Sequence, residues 1–137
     1  GVCSIELIKE LNKLGIKINV TAVFTLDQIK KLSKVLNSDT FSIVSVFAGR
    51  IADTGVDPMP LMKEAKIILN NPKTSLLWAS PREILNVFQA DVCGVDIITL
   101  TTVMLKKLEN IGKPLDDFSL ETVKMFHDDA KSSGYEL

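Results

Sequence analysis

Three short polar segments stand where a buried apolar strand is predicted to give way to a helix. They are Asn19-Val20-Thr21, Phe47-Ala48-Gly49-Arg50 and Ala79-Ser80-Pro81-Arg82. Because the carboxyl ends of parallel strands meet at one edge of a sheet, these segments bring an amide, hydroxyls and two guanidiniums to that edge. Arginine and serine side chains that converge there are typical of a phosphate-binding site. The sequence therefore predicts a site for a phosphorylated ligand.

The composition limits the classes of function that such a site can serve. The chain has 137 residues, of which 46% are apolar, and a formal net charge of −1. A nucleic-acid-binding surface normally shows a basic excess, so we expect no nucleic-acid partner. No apolar run approaches the roughly 20 residues that cross a bilayer, so we expect no membrane partner. No metal-ligand spacing stands out, and we predict no metal site.

The cysteines and the first residue bear on where the protein works. The chain has two cysteines, Cys3 and Cys93, and no segment that resembles a signal peptide. This usage is typical of a reducing cytosol, so we expect free thiols and a cytoplasmic location. Since the chain begins with Gly1, we also expect that it has lost its start.

Apolar strands alternate along the chain with amphipathic helices. We predict strands over residues 16–21, 41–47, 75–79 and 96–100. We predict six helices. The first covers residues 4–14, the second follows a capping box at Thr25 and Gln28, and the third runs from Asp57 to about residue 70. The fourth begins at Ser80, the fifth covers residues 103–108 and the sixth covers about 119–132. Ser80 is the predicted N-cap of the fourth helix, and Gly49 and Asp53 are assigned to a loop.

Four β/α units in a row with short connections indicate a parallel sheet covered by helices. Two architectures fit, a small open doubly wound sheet or half of a barrel whose whole takes around 250 residues. In strand 16–21, Lys17, Asn19 and Thr21 share one face and three apolar residues share the other. A doubly covered open sheet has strands that are apolar on both faces, so the polar face favours the barrel.

These segments also resemble a known family. Residues 18–24, residues 45–51 with Asp53 and Gly55, and residues 79–82 are similar in order and spacing to the transaldolase family. The last helix, at about 119–132, resembles that family's closing helix, so the resemblance covers residues 1–137. It implies an α/β fold in which parallel β/α units form the C-terminal half, about strands 5–8, of a (β/α)8 TIM barrel.

The resemblance implies an activity as well. It is the transfer of a dihydroxyacetone unit between sugar phosphates of the fructose 6-phosphate and erythrose 4-phosphate type, in the pentose phosphate pathway. Family members hold the substrate carbonyl as a Schiff base on a lysine, and the iminium stabilises the carbanion left when the carbon–carbon bond breaks. Because that lysine belongs to the protein, no cofactor is expected. The lysine and the acid/base carboxylates are expected upstream of Gly1, so the parent is the enzyme and the status of this chain alone stays open.

Carried over by position, the resemblance gives seven residues a role. Asn19 would hydrogen-bond the Schiff-base intermediate, and Thr21 would hold the water that relays protons. Ser45 would contact substrate hydroxyls, and Phe47 would line the floor of the pocket. The phosphate would be bound by Arg50, Ser80 and Arg82. Phenylalanine rather than tyrosine at position 47 favours transfer over simple aldol cleavage.

Other interpretations remain open at this point. The chain could be a non-catalytic half barrel that binds a sugar phosphate or self-associates through its sheet edges, as a homo-oligomer or with an N-terminal half. It could also be an open-sheet phosphate-binding domain with no aldol chemistry. Individual residues have structural alternatives: Ser80 could act only as an N-cap, Arg50 as a solvated loop residue and Asp53 as a loop anchor.

Overall fold

The computed structural model of the protein describes residues 4–134. Its strands are β1 (Ile18–Val23), β2 (Ser42–Val46), β3 (Thr74–Trp78) and β4 (Ile97–Ile98). Its helices are α1 (Ile5–Lys13), α2 (Leu26–Ser33), α3 (Ala48–Ala52), α4 (Met59–Ile68), α5 (Leu85–Val92), α6 (Thr102–Lys107) and α7 (Leu115–Ser132), with a 3-10 turn at Leu108–Asn110. The chain divides into two compact units, of which the first ends at Met104 and contains all four strands.

The strands form one parallel sheet in the order β1-β2-β3-β4. Each strand therefore lies beside the next one along the chain, and helices make the connections. This arrangement confirms the predicted α/β fold with a parallel sheet.

One face of the sheet forms the hydrophobic core. Alternate residues of β2 and β3 point to the same side, because side chains along a strand alternate between faces. Val44, Val46, Leu76 and Trp78 belong to this core, and α2 and α4 cover them with Ile29, Leu32, Met62 and Ala65. The same alternation places Asn19, Ser45 and Leu77 on the opposite face. Helices α2 and α4 therefore cover only one face of the sheet, and the predicted site residues Asn19 and Ser45 lie on the other.

One predicted helix start is confirmed, and a second is shifted by two residues, from Asp57 to Met59. The Thr25 hydroxyl accepts a 3.3 Å hydrogen bond from Gln28 N, and the Gln28 side chain accepts a 3.0 Å bond from Thr25 N. This reciprocal capping box starts α2. Asp57 Oδ1 accepts a 2.9 Å hydrogen bond from Met59 N, where α4 begins.

Two boundaries in the first half of the chain differ from the prediction. The first strand begins at Ile18 rather than at residue 16, because Ile16 N donates to Leu11 O over 3.1 Å and so still terminates α1. The prediction that Gly49 belongs to a loop is wrong. Gly49 lies in the short helix α3, where Ile51 N donates to Phe47 O and Asp53 N donates to Gly49 O, both over 3.0 Å.

The prediction that Ser80 caps a helix is also wrong. Helix α5 begins at Leu85, and Ser80 has a φ of 57°, in the left-handed region. The side chain of Asn86 accepts hydrogen bonds from Arg82 N at 2.7 Å and Glu83 N at 3.2 Å, which closes a turn ahead of the helix. Residues 80–83 are therefore a loop after β3, and the capping alternative for Ser80 is excluded.

Later elements keep their predicted type with different ends. Strand β4 is reduced to Ile97–Ile98; it begins after Asp96, whose side chain accepts a 2.8 Å hydrogen bond from Leu76 N. Helix α7 begins at Leu115 instead of about residue 119, with Asp116 and Asp117 in its first turn. Two acidic residues there favour an earlier start, since they complement the partial positive charge of a helix N-terminus.

Two further observations concern the described part of the chain. None of the helices within residues 4–134 has the length and apolar character needed to span a membrane. Cys93 is a buried free thiol, whereas Cys3 lies outside the described residues.

Candidate functional site

The predicted site residues lie on three consecutive strands and on the segments that follow them. Asn19 and Thr21 are in β1, and Ser45 is in β2. Beyond the carboxyl ends of β2 and β3 come Phe47 directly after β2, Arg50 in α3, and Ser80 and Arg82 after β3. In a parallel sheet these ends share one edge, which is where such sheets bind ligands.

Asn19 and Ser45 form a direct contact on the face of the sheet away from the core. Ser45 Oγ donates a 2.7 Å hydrogen bond to Asn19 Oδ1. Ser45 is only 3% exposed, whereas Asn19 is exposed. Since the amide oxygen is used by Ser45, the amide Nδ2 is the group that Asn19 offers to a ligand. The pair is a preoriented hydrogen-bond donor at the sheet surface.

Strand β1 contains a β-bulge shortly after Asn19. Val20 aligns with Val44 and Val23 with Val46, so three steps along β1 match two along β2. Ala22, within this irregularity, has a φ of 58°. The extra residue lets Val23 enter the core while Thr21 stays exposed. Bulges of this kind are frequent beside active sites, where they redirect side chains.

Phe47 is the centre of a small aromatic and cationic cluster. The Phe24 and Phe47 rings lie 5.6 Å apart between centroids at an interplanar angle of 51°. The guanidinium carbon of Arg50 lies 5.3 Å from the centroid of Phe47. This is a cation–π distance, so Phe47 holds Arg50 by its ring while the charged group stays exposed.

The segments after β2 and β3 are pressed against each other at Gly49. Gly49 N donates a 3.2 Å hydrogen bond to Ala79 O. A β-carbon at Gly49 would lie 1.4 Å from the carbonyl oxygen of Ser80, so only glycine fits. Helix α3, which carries Arg50 and is followed by Asp53, is thereby held beside the loop that carries Ser80 and Arg82.

Arg82 is bound to Asp53 across this junction. Arg82 Nε donates to Asp53 Oδ1 over 3.1 Å, and Arg82 Nη2 donates to Asp53 Oδ2. Both side chains are about half exposed to solvent. The bidentate geometry is that of the stronger arginine–carboxylate pairs.

Six of the seven predicted residues thus belong to three groups of residues in contact, whereas Thr21 belongs to none of them. The groups are the Asn19–Ser45 pair, the Phe47–Arg50 pair with Phe24, and the Gly49 junction with Ser80, Arg82 and Asp53. Two guanidiniums and a hydroxyl on exposed segments can bind an anion, and the Asn19 amide can donate to a polar ligand on the sheet face. Within residues 4–134, no group of His, Cys, Asp and Glu side chains is arranged to hold a metal ion.

The chain matches a family model described as transaldolase/fructose-6-phosphate aldolase over residues 3–137. The chain belongs to this family. The family assignment confirms the resemblance read from residues 18–24, 45–51 and 79–82.

Individual family members are similar over most of the chain. A probable transaldolase from Carboxydothermus hydrogenoformans is 41% identical over 106 residues, covering 76% of this chain and 48% of that protein. A probable transaldolase from Brucella ovis is 36% identical over 116 residues, covering 83% of this chain and 51% of that protein. A probable transaldolase from Thermoplasma volcanium is 36% identical over 106 residues, covering 76% of this chain and 46% of that protein. The chain spans about half the length of the curated relatives that it matches.

Two residues of this candidate site are not assigned to it by the sequence pattern. The pattern includes Phe24 only as part of a motif, and it gives Asp53 as a loop anchor. The contacts of Phe24 with Phe47 and of Asp53 with Arg82 bring both into the site. A sequence signal exists for Asp53, because an acid and a base that follow neighbouring parallel strands are expected at the same sheet edge.

Proposed function

We propose that this chain is the C-terminal half, about strands 5–8, of a (β/α)8 barrel in a transaldolase-type enzyme. The parent protein transfers a dihydroxyacetone unit between sugar phosphates in the pentose phosphate pathway, in the cytoplasm and without a cofactor. The Schiff-base lysine and the acid/base carboxylates lie outside residues 1–137. The observation that carries this proposal is the Asn19–Ser45 pair on the open sheet face, beside the arginine-bearing segments at the sheet's carboxyl edge.

The barrel is supported by the strand order and by the open sheet face. A doubly wound sheet reverses its strand order at a switch point, whereas β1 to β4 follow one another without reversal. Among the described residues, β1 and β4 each pair on one side only. Closure with a second set of β/α units would remove both edges. The polar Asn19 and Thr21 would then face the barrel interior at its active end.

The catalytic roles follow from donors and acceptors at the sheet face. Asn19 Nδ2 donates to the oxygen of the covalent intermediate, since Ser45 already engages Asn19 Oδ1. The exposed Thr21 hydroxyl holds the water that exchanges a proton with the upstream carboxylates. Ser45 contacts substrate hydroxyls, and Phe47 lines the floor of the pocket beside them.

The phosphate group of the substrate binds at Arg50, Ser80 and Arg82. Its site is remote from the bond that breaks, so binding energy at the phosphate orients the reacting carbons. The cation–π contact with Phe47 keeps Arg50 at this edge. The Gly49 junction keeps Ser80 and Arg82 beside it.

Reductive trapping tests the proposed chemistry. The full-length protein is incubated with fructose 6-phosphate and borohydride, and the modified peptide is identified by mass spectrometry. We expect a three-carbon adduct on a lysine outside residues 1–137. An adduct on a lysine of this chain, such as Lys17, would contradict the proposal.

The two arginines are tested separately from the lysine. Arg50→Ala and Arg82→Ala are each expected to raise the KM for fructose 6-phosphate about tenfold or more, because each removes a charge-assisted contact worth roughly 1.5–3 kcal/mol. Arg50→Lys keeps the charge and is the matched control for charge alone. Unchanged KM values in both alanine variants would end the assignment of the phosphate site.

The second candidate function is a non-catalytic half barrel that binds a sugar phosphate or self-associates. The one-sided pairing of β1 and β4 favours it, because free edges promote association. The intact mass of the native protein distinguishes the two candidates. A chain longer than 137 residues supports the enzyme. A native chain of this length that forms a homo-oligomer, binds phosphate and gives no borohydride adduct supports the half barrel.

A further inference from the structure

We propose that Asp53 is a positioning residue that holds the Arg82 guanidinium in the orientation in which it binds the substrate phosphate. The inference rests on the proposed function, because it takes Arg82 as a phosphate ligand. It adds to that site an acidic residue, which by its charge alone would be expected to repel a phosphate. The geometry of the ion pair explains why a carboxylate belongs there.

The Asp53 carboxylate occupies only one edge of the guanidinium. It accepts from Nε over 3.1 Å with Oδ1 and from Nη2 with Oδ2. A guanidinium has five N–H donors in a rigid planar fork. The donors of Nη1 and the second donor of Nη2 are not used by other residues within 4–134. They lie at the end of the fork, where a phosphate can bind through both nitrogens at once.

Both partners of the ion pair are held by their backbones. Asp53 N donates to Gly49 O over 3.0 Å, and Gly49 N donates to Ala79 O over 3.2 Å. On the other side, Arg82 N donates to the Asn86 side chain over 2.7 Å. The absence of a side chain at Gly49 allows the two segments to approach closely enough for the Gly49 N–Ala79 O hydrogen bond to hold them together. These hydrogen bonds therefore fix the backbone of Asp53 relative to the backbone of Arg82.

Fixing Arg82 before the ligand arrives favours binding. A half-exposed arginine samples many rotamers, and a ligand that immobilises it must overcome that loss of conformational freedom. Asp53 has already restricted those rotamers. The repulsion between its carboxylate and a bound phosphate is screened, because both side chains of the pair are about half exposed to solvent. The orienting effect is therefore expected to exceed the repulsion.

The test compares binding of inorganic phosphate and of fructose 6-phosphate to the full-length protein by calorimetry. In Asp53→Asn we expect both Kd values to rise about threefold to fivefold, the effect of losing one half-exposed pair. Asp53→Glu retains the carboxylate and should recover part of the affinity. The matched control is Glu64→Gln, which changes the charge by the same amount in another half-exposed pair, with Lys30 at 3.9 Å. It should leave both Kd values unchanged.

A second readout separates positioning from a general loss of stability. The Arg82 Nε–H signal in the NMR spectrum should be ordered in the parent protein and averaged in Asp53→Asn, while the melting temperature stays close to that of Glu64→Gln. Tighter phosphate binding in Asp53→Asn would overturn the inference, because Asp53 would then compete with the anion. Unchanged binding would overturn it as well.

The Arg82→Ala variant distinguishes failure of this inference from failure of the proposed function. If Arg82→Ala weakens phosphate binding and Asp53→Asn does not, only the role of Asp53 is overturned. If Arg82→Ala leaves both Kd values unchanged, Arg82 is not a phosphate ligand, and the proposed phosphate site falls together with the role of Asp53.

Discussion

Gly49 and Ser80 approach each other so closely that a β-carbon on Gly49 would lie 1.4 Å from the Ser80 carbonyl oxygen. The atom it would meet belongs to the backbone and cannot rotate away. Gly49 lies inside α3, where glycine costs about 0.5–1 kcal/mol relative to alanine. Glycine at position 49 therefore lowers the stability of the helix, but it allows Arg50 and Asp53 to lie against the loop that carries Arg82.

Gly49→Ala should consequently destabilise the protein even though alanine is the better helix former. The added methyl group must displace the Ala79–Ser80 backbone, and overpacking of this kind costs about 1–3 kcal/mol. We expect the free energy of unfolding in urea to fall by about 2 kcal/mol. Phosphate binding should weaken at the same time, because Arg50 and Arg82 would move apart.

The control for Gly49→Ala is Gly55→Ala. Gly55 has a φ of 81°, and no atom lies within 4 Å of the position that a β-carbon would take. Its substitution therefore costs only the left-handed conformation, about 1 kcal/mol. Phosphate affinity should be unaffected. A Gly49→Ala variant that is as stable as the parent would show that the junction is not close-packed.

The elements of this fold could be predicted where one local signal dominates. The capping box of Thr25 and Gln28 and the Asp57 hydrogen bond at the start of α4 act within a few residues, and the structure contains both. Ser80 shows the limit of such signals. Ser-Pro-x-Glu has the composition of a helix start, but the Ser80 carbonyl must pack on Gly49, and this tertiary contact goes with the left-handed conformation.

The sequence indicates which residues belong to the candidate site, but it does not indicate which side chains contact each other there. Placing Asn19 and Ser45 on one sheet face and Arg82 at its carboxyl edge needs only the parallel β/α pattern and the family resemblance. The partner of each side chain depends on register and on the bulge at Ala22, which no local pattern encodes. The local pattern likewise assigns Asp53 to a loop, and only the expectation that an acid and a base after neighbouring parallel strands share a sheet edge indicates its contact with Arg82.

The Asn19–Ser45 hydrogen bond should appear as a coupling energy. Ser45→Ala removes a neutral hydrogen bond worth about 1 kcal/mol, and Asn19→Ala removes the same bond from the other side. In a double-mutant cycle on unfolding free energies, we expect a coupling of about 0.5–1 kcal/mol. Ser33→Ala serves as the control with Asn19→Ala, because the Ser33 hydroxyl bonds locally to Lys30 O. Additive effects of Asn19 and Ser45 would contradict the contact.

A buried polar network at the other end of the strands should govern stability without affecting the site. Asn12 is fully buried, and it donates to Ser42 Oγ over 2.9 Å and accepts from Asn37 N over 2.7 Å. Asn12→Ala leaves Asn37 N without its acceptor. It also removes the donor to Ser42 Oγ, which keeps only its 3.5 Å bond to Thr40 O, and each lost bond costs about 1–3 kcal/mol. We expect a loss of about 3 kcal/mol in urea unfolding with unchanged phosphate affinity at temperatures where the protein is folded. Asn70→Ala, at an exposed position, should stay within about 0.5 kcal/mol of the parent.

Cys93 should be unreactive in the folded protein. Burial raises the pKa of its thiol from the ordinary value of 9.0, and the nearby Lys63 opposes this only in part. Because the thiolate is the reactive form, a Cys3→Ser variant should react with a disulfide reagent at about pH 8 much more slowly when folded than in urea.

The same raised pKa makes stability depend on pH. The unfolded thiol ionises near its ordinary pKa, while the folded thiol keeps its proton to higher pH. The contribution of Cys93 is therefore complete below pH 9.0 and is lost as the pH rises through the folded pKa. Cys93→Ala removes this titration, so the difference in unfolding free energy between the two proteins should shrink at alkaline pH. A difference that grows with pH would mean that the folded protein favours the thiolate.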